Sequence, residues 1–97
     1  MIHLYNEDCI TALERIKNKS IDLVLTDPPY NIKKDTWDKW STDEEYIMWC
    51  SQWIKQVERV LKENGSFYWF HNDIVQITKI MHWIEKNTNF VPCFLAL

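Results

Sequence analysis

The fold is decided by the stretch IDLVLT at Ile21–Thr26, which runs directly into DPPYN at Asp27–Asn31. The first six residues are few, aliphatic and partly β-branched, a composition typical of a strand buried in a parallel sheet. Each proline fixes its own φ angle and pushes the residue before it towards an extended conformation, so no helix can begin at Asp27 or Pro28. The sequence therefore predicts a buried strand that ends in a rigid turn.

The predicted turn is rich in hydrogen-bond acceptors. Proline has no N–H group, so the carbonyls of Asp27 and Pro28 and the carboxylate of Asp27 form a cluster of acceptors. An uncharged, donor-rich group fits such a cluster, and the exocyclic amino group of a nucleobase is one. Tyr30 adds a flat ring against which a base taken out of its duplex can stack. The same letters also suit a plain strand end, with Tyr30 as an ordinary half-buried aromatic residue.

The residues on either side of the turn carry a family resemblance. LYNEDC at Leu4–Cys9 is followed by a helix-like segment and then by SIDLVLTDPPYN at Ser20–Asn31. In order and spacing these segments resemble the amino-methyltransferases of DNA. The closest arrangement is the β-class, in which the Asp-Pro-Pro-Tyr motif lies near the N-terminus and the cofactor-binding motif comes late. The similarity covers residues 2 to about 72 and continues through Trp37–Trp40, Glu45–Tyr46, Trp53 and Arg59–Phe67.

This resemblance implies transfer of a methyl group from S-adenosylmethionine to a base of DNA. Asp27, Pro28 and Tyr30 would be the catalytic residues: the first two accept the amino hydrogens of a flipped base, and the tyrosine stacks on it. An Asp at the head of the motif favours adenine N6 by resemblance. Because relatives with the same letters act on cytosine, cytosine N4 is the alternative.

The resemblance also implies binding residues outside the catalytic three. Substrate contacts are expected from Pro29, Asn31, Trp37 and Trp40, and cofactor contacts from Asp8, Cys9 and Asp27. Judged from the residues alone, Asp8 and Cys9 equally suit a helix N-cap followed by a small buried cysteine. The tryptophans equally suit anchors that pin a solvated loop to the core.

The sequence lacks the family's cofactor loop. That loop reads Phe-x-Gly-x-Gly, and the chain has one glycine, Gly65, in a different place. A chain of 97 residues is at most one domain and too short for a complete methyltransferase. Its net charge of −3 gives no basic field for holding phosphates. We expect one partial catalytic domain over residues 1–97, inactive alone, with DNA as the substrate of the complete enzyme.

The remaining segments alternate between strand and helix patterns. This alternation predicts an α/β class with a mostly parallel sheet and flanking helices. Together with the resemblance, it implies a partial Rossmann-like methyltransferase fold that lacks the cofactor-motif strands. Exposed sheet edges then favour a second copy or a completing chain as partner. The predicted elements begin with an edge strand at 2–5 and a helix bearing Ile10, Leu13 and Ile16. A second helix runs from the overlapping capping boxes of 41–45 to Asn64-Gly65, and its apolar stripe, which starts at Tyr46, is expected to pack in the core against the sheet.

The later elements are a strand at 66–70 and a helix capped by 71–73. His71, at the end of that strand, is interpreted as a hydrogen-bonded structural residue and not as a catalytic one. A last strand is predicted at 90–97; it halts within an apolar run, which fits a cloned fragment, a cleaved product or a truncated gene.

Other function classes find less support. Cys9, Cys50 and Cys93 are odd in number and form no CxxC pair, so neither a disulfide framework nor a metal site is predicted. No apolar stretch approaches membrane-spanning length, and we expect a cytoplasmic location. A nucleotide hydrolase would need a Gly-rich phosphate loop, which is missing. A non-enzymatic remnant that keeps only the packing stays open as an alternative.

Overall fold

The computed structural model describes residues 2–30 and 40–91. Helices and strands alternate along this part of the chain, and its two strands pair in parallel. The predicted α/β class, a partial Rossmann-like fold with flanking helices, is confirmed. The elements are α1 Cys9–Glu14, β1 Ile21–Thr26, α2 Asp43–Val60, β2 Leu61–Trp69 and α3 Ile74–Asn87. Asn31, Trp37 and residues 92–97 of the predicted third strand lie outside the described residues.

The pairing of β1 with β2 contains an irregularity that explains Gly65. Ile21 pairs with Leu61, but Leu23 already pairs with Ser66, so β2 has extra residues between the two pairs. A Cβ atom on Gly65 would lie 3.1 Å from the carbonyl oxygen of Asp22 and 2.9 Å from the Leu61 side chain. The glycine therefore lets the irregular part of β2 lie directly against β1.

The start of α2 uses one of the two predicted capping boxes. Thr42 is the N-cap, and its Oγ1 accepts from the Glu45 N–H at 3.1 Å. The Glu45 carboxylate reaches back to Ser41, whose N–H and hydroxyl donate to it at 3.0 and 2.8 Å. These bonds hold the pKa of Glu45 below its ordinary value. Glu44 takes no part in the cap and instead lies 3.6 Å from the Lys79 ammonium.

The end of α2 differs from the prediction. The helix was expected to continue to Asn64-Gly65, but it ends at Val60, and Leu61 is already extended and buried. The chain entering β1 supplies the reason. The N–H groups of Lys19 and Ser20 donate to the carbonyls of Arg59 and Val60 at 2.9 and 2.8 Å. Hydrogen bonds from a distant segment thus satisfy the last carbonyls of the helix. The sequence near the helix end gives no sign of this contact.

The core lies between α2, α3 and one face of the sheet. The apolar stripe predicted along α2 is buried there, and Val24, Phe67 and Trp69 of the sheet pack against it partly buried. The core side chains are Tyr46, Cys50, Trp53, Ile54, Val57, Val60 and Leu61, with Ile80 and Ile84 from α3.

The other face of the sheet is open. Leu23 pairs with Ser66 and Leu25 with Tyr68, and successive side chains of a strand alternate between faces. Leu23, Leu25 and Tyr68 therefore share the face opposite the core, where they are 53%, 64% and 49% exposed. We call these three residues the open face. An isolated globular domain rarely leaves such apolar strand residues uncovered.

The edge strand predicted at residues 2–5 is absent. Residues 2–6 form no strand, and Ile2 and Leu4 are 87% and 92% exposed. A strand needs a neighbour to satisfy its backbone groups. Among the described residues, no strand pairs with this segment.

The connection between α1 and β1 depends on Arg59 near the end of α2. Its guanidinium donates to the carbonyls of Leu13 and Ile16 and to Asn18 Oδ1, each at 2.7 Å. Replacing Arg59 by Met should therefore lower the free energy of unfolding by about 2–3 kcal/mol, since charge-assisted bonds to half-buried carbonyls are lost.

Urea denaturation of the two proteins measures this difference. The matched control is Lys55→Met on the same helix, because exposed Lys55 bonds only Glu58 and the Asn87 carbonyl among its described contacts. We expect that control to cost at most about 1 kcal/mol. An equal loss in both variants would show that the Arg59 bonds do not stabilise the fold.

Candidate active site

The candidate site lies where the carboxyl ends of β1 and β2 meet. Because the strands are parallel and paired through Thr26 and Trp69, the segments that follow them leave the sheet side by side. The Phe70 N–H donates to the Thr26 carbonyl at 3.2 Å as the ladder ends. Asp27 follows on the first strand and His71 on the second. This is the edge at which open α/β sheets bind ligands.

The turn at Asp27–Tyr30 forms one wall of an open pocket at this edge. The pocket is lined by Asp27, Pro28, Pro29 and Tyr30, so the structure brings the three predicted catalytic residues together with Pro29. Asp27 is exposed, and the other three are half-buried. The Tyr30 hydroxyl donates to the Asp27 carboxylate. That bond is the main reason why the pKa of Tyr30 rises to about 12, and the phenol stays a donor at neutral pH.

The turn is tied to the core by Tyr46 from the first turn of α2. Its ring is fully buried, and its hydroxyl donates to the Pro29 carbonyl at 2.7 Å. The same hydroxyl lies 3.0 Å from His71 Nε2. Sequence reasoning placed Tyr46 among the core residues and missed this contact. The available signal was a hydroxyl within an otherwise apolar helix stripe, since a buried tyrosine hydroxyl needs a partner.

His71 connects the two strand ends. Its ring lies 4.8 Å from the Tyr30 ring, centroid to centroid, and 5.7 Å from the Tyr46 ring. Burial lowers the pKa of His71 below its ordinary value, although the carboxylates of Asp73 and Asp27 act in the opposite direction. The interpretation of His71 as a hydrogen-bonded residue, rather than a group that performs chemistry, agrees with these contacts.

The predicted substrate residue Trp40 lies in an aromatic cluster at the start of α2. Its ring centroid is 5.0 Å from that of Tyr46 and 4.8 Å from that of Trp49, and the side chain is half-buried. This packing joins Trp40 to the core, and its predicted contact with the substrate stays a prediction.

The predicted cofactor residues Asp8 and Cys9 lie at the start of α1 and are not among the described residues that line the pocket. Asp8 is the N-cap and accepts from the Ile10 N–H at 2.8 Å, as the capping alternative expected. Cys9 is exposed, so the expectation of a small buried cysteine is wrong. The first turn of a six-residue helix leaves this side chain in solvent.

The described residues contain neither a metal site nor a membrane span. No group of three His, Cys, Asp or Glu side chains within residues 2–30 and 40–91 is arranged to hold a metal ion. In the same ranges, no helix combines the length and apolar character needed to cross a membrane.

Comparison with known proteins decides the family. A sequence model described as DNA methylase matches residues 21–92. The chain belongs to the DNA methylase family. It is 46% identical over 66 residues to the type II methyltransferase M.BglII of Bacillus subtilis, and 34% identical over 99 residues to M.HinfI of Haemophilus influenzae. The resemblance to the amino-methyltransferases of DNA is thereby confirmed.

A solved methylase structure supports the fold. The cytosine-N4-specific PvuII DNA methyltransferase superimposes on 89% of this chain with a TM-score of 0.74 at 24% identity. This chain matches 34% of that structure, 18% of M.BglII and 27% of M.HinfI. It therefore spans about a fifth to a third of the methylases it resembles.

Titration of Tyr30 tests the geometry of the turn. Replacing Asp27 by Ala removes the acceptor of the Tyr30 hydroxyl, so the pKa of Tyr30 should fall from about 12 towards its ordinary value of 10.0. Tyrosine-selective NMR of the chain across this pH range measures the shift. Asp22→Ala is the control, because Asp22 on the same strand pairs with Lys62 at the surface. An unchanged Tyr30 titration in Asp27→Ala would contradict the described bond.

Proposed function

We propose that this chain is the base-holding part of a DNA amino-methyltransferase, which transfers a methyl group from S-adenosylmethionine to adenine N6. The acceptor cluster at Asp27 and Pro28 is the observation that carries the proposal. It stands at the ligand-binding edge of a parallel sheet, beside the half-buried ring of Tyr30. Membership of the DNA methylase family supports the choice of DNA as substrate.

The turn has free acceptors for an amino group. An ionised carboxylate offers about four lone-pair positions, of which the Tyr30 hydroxyl takes one on Asp27 Oδ1. The Pro29 carbonyl already accepts from Tyr46, whereas Pro28 lines the pocket beside Asp27 and has a carbonyl that can accept. We assign one amino hydrogen of the flipped base to Asp27 and the other to Pro28.

This pairing addresses the chemical difficulty of the reaction. The nitrogen of an aromatic amine is a poor nucleophile because its lone pair is delocalised into the ring. Two fixed acceptors hold both N–H bonds in one geometry and favour release of the lone pair towards the methyl donor. Tyr30 stacks on the base and holds its plane. The residues of this chain thus act by positioning.

S-adenosylmethionine supplies the electrophilic methyl group when it is bound in the complete enzyme. The described residues do not build its binding pocket. Gly65 is packed into the strand irregularity and is not part of a glycine loop, while Asp8 already caps α1. We propose that Asp8, Cys9 and Asp27 lie only at the edge of the cofactor site and that the remainder of a methylase completes it.

We propose that the remainder of the methylase, which completes the cofactor site, docks on the open face. Leu23, Leu25 and Tyr68 expose apolar surface on the sheet, and the matched methylases are about three to six times as long as the part that this chain aligns with. Coverage of that face would supply the missing layer of a doubly covered sheet. A second copy of this chain is the other possible occupant, and the mass of the species in solution separates the two cases.

Cytosine N4 is the second candidate for the methylated atom. The PvuII DNA methyltransferase, which superimposes on this chain, is named for that specificity. The amino group of cytosine presents the same two hydrogens to Asp27 and Pro28, so the turn itself accommodates either base. Product analysis separates the candidates.

The test places the matched part of this chain in M.BglII in exchange for the corresponding segment of that enzyme. The hybrid should transfer a labelled methyl group from S-adenosylmethionine to duplex DNA, with the product nucleoside identified by mass spectrometry. Asp27→Ala should lower kcat by about 100-fold or more, because an acceptor that orients the reacting group is lost.

Asp22→Ala is the matched control and should leave transfer unchanged. Calorimetric unfolding should show that both variants fold. An active hybrid in which Asp27→Ala works at the wild-type rate would overturn the assignment of Asp27. A folded hybrid that transfers no methyl group, when unmodified M.BglII does, would favour the non-enzymatic remnant. N4-methylcytosine in place of N6-methyladenine would correct the proposed base.

A further inference from the structure

We propose that Tyr46 and His71 are positioning residues that set the geometry of the Asp27–Tyr30 turn. The inference rests on the proposed function of that turn. Neither residue lines the pocket, and each reaches it through a hydrogen bond or a ring contact. Together they connect the start of α3 to the middle of the catalytic motif.

The first link fixes the imidazole of His71. Its Nδ1 accepts from the backbone N–H groups of Asn72 and Asp73 at 3.0 and 3.1 Å. An atom that accepts two N–H groups carries no proton of its own. The hydrogen of the neutral ring therefore sits on Nε2, which faces the Tyr46 hydroxyl at 3.0 Å.

The second link gives the chain of bonds its direction. Since His71 Nε2 donates, the Tyr46 oxygen accepts there and its own hydrogen points to the Pro29 carbonyl at 2.7 Å. The Tyr46 ring cannot swing away, because it is fully buried beside Trp40 and Trp49. Backbone N–H groups at the start of α3 thus orient a carbonyl within the motif.

The network decides which acceptors remain for the base. The Pro29 carbonyl is occupied by Tyr46, which leaves the Pro28 carbonyl and the Asp27 carboxylate for a ligand. His71 also lies against the Tyr30 ring, at a centroid distance of 4.8 Å and a tilt of 42°. A base can therefore stack only where His71 leaves the Tyr30 ring uncovered.

Protonation of His71 would break this arrangement. A hydrogen on Nδ1 would oppose the N–H groups of Asn72 and Asp73. The charged and titratable groups facing the ring are the carboxylates of Asp27 and Asp73 and the hydroxyls of Tyr30 and Tyr46. The carboxylates favour the cation and burial opposes it. The pKa of His71 in the folded chain lies below its ordinary value of 6.5. The contribution of neutral His71 to the free energy of unfolding is therefore complete above pH 6.5, and it is lost as the pH falls below 6.5 through the folded pKa.

The first test uses the 97-residue chain itself. Nitrogen NMR of the imidazole should show His71 Nδ1 unprotonated and Nε2 protonated at about pH 7. Tyr46→Phe should speed exchange of the Nε2 proton with solvent and shift the Tyr30 ring signals, whereas Tyr68→Phe should do neither. A wild-type ring protonated on Nδ1 would overturn the proposal, and so would Tyr30 signals that Tyr46→Phe leaves unmoved.

The second test uses the active hybrid with M.BglII. Tyr46→Phe and His71→Phe should each lower kcat about ten- to hundred-fold with little change in the KM for S-adenosylmethionine, because a misplaced motif slows the reacting step. His82→Phe on the exposed face of α3 should have no effect. With His71→Phe, the decline of stability below pH 6.5 should become shallower.

A core variant separates positioning from a structural role. Val57→Ala removes buried volume from α2 without touching the network, and it should lower the unfolding midpoint while kcat is retained below that midpoint. If Tyr46→Phe behaves like Val57→Ala, the positioning role is wrong although the proposed function stands. The positioning role is also wrong if methyl transfer by the hybrid requires Asp27 but is unchanged by substitution of Tyr46 or His71. If neither the hybrid nor any of its variants transfers methyl, the proposed function is refuted instead. The NMR measurement on the 97-residue chain then still tests the hydrogen bonds between His71, Tyr46 and Pro29.

Discussion

The parallel pairing of β1 with β2 is the constraint on which the site depends. The pairing continues to Thr26 and Trp69 and closes with the bond from the Phe70 N–H to the Thr26 carbonyl. Two segments distant in sequence therefore leave the sheet together. That register places His71, which follows β2, beside the Asp27–Tyr30 turn, which follows β1. Gly65 belongs to the same constraint, because a Cβ atom at this position would crowd the carbonyl of Asp22 at the irregular start of β2.

The α2 helix joins stability to function. Its apolar stripe forms most of the core, and its two ends hold the neighbouring segments in place. At the end, Arg59 binds the α1 connection while the last carbonyls accept from Lys19 and Ser20, which aims the chain into β1. At the start, Tyr46 holds the Pro29 carbonyl. A substitution within this one helix can therefore move the motif without touching a residue of the pocket.

The sequence was most informative where local chemistry decides the structure. The prolines of the turn, the Thr42–Glu45 cap and the Asp73 cap all act within a few residues, and their effects are as expected. The aliphatic run forms the predicted strand β1, but the expectation that this strand is buried is wrong, because Leu23 and Leu25 lie on the open face. The α2 terminus was misjudged because bonds from Lys19 and Ser20 end the helix. The strand at 2–5 failed for lack of a neighbour. Tyr46 and His71 were missed as a pair because they are 25 residues apart in sequence and meet only where α2 packs beside the end of β2.

If the Asp27–Tyr30 turn holds an extruded base, as proposed, a photochemical crosslink should form between the turn and that base. The hybrid methylase is bound to duplex DNA in which a photoreactive halogenated pyrimidine replaces the target base. It is then irradiated, and the attached peptide is sequenced. We expect attachment at Tyr30, reduced when the same analogue sits outside the recognition site. Efficient attachment elsewhere in the protein, with none at Tyr30, would contradict it.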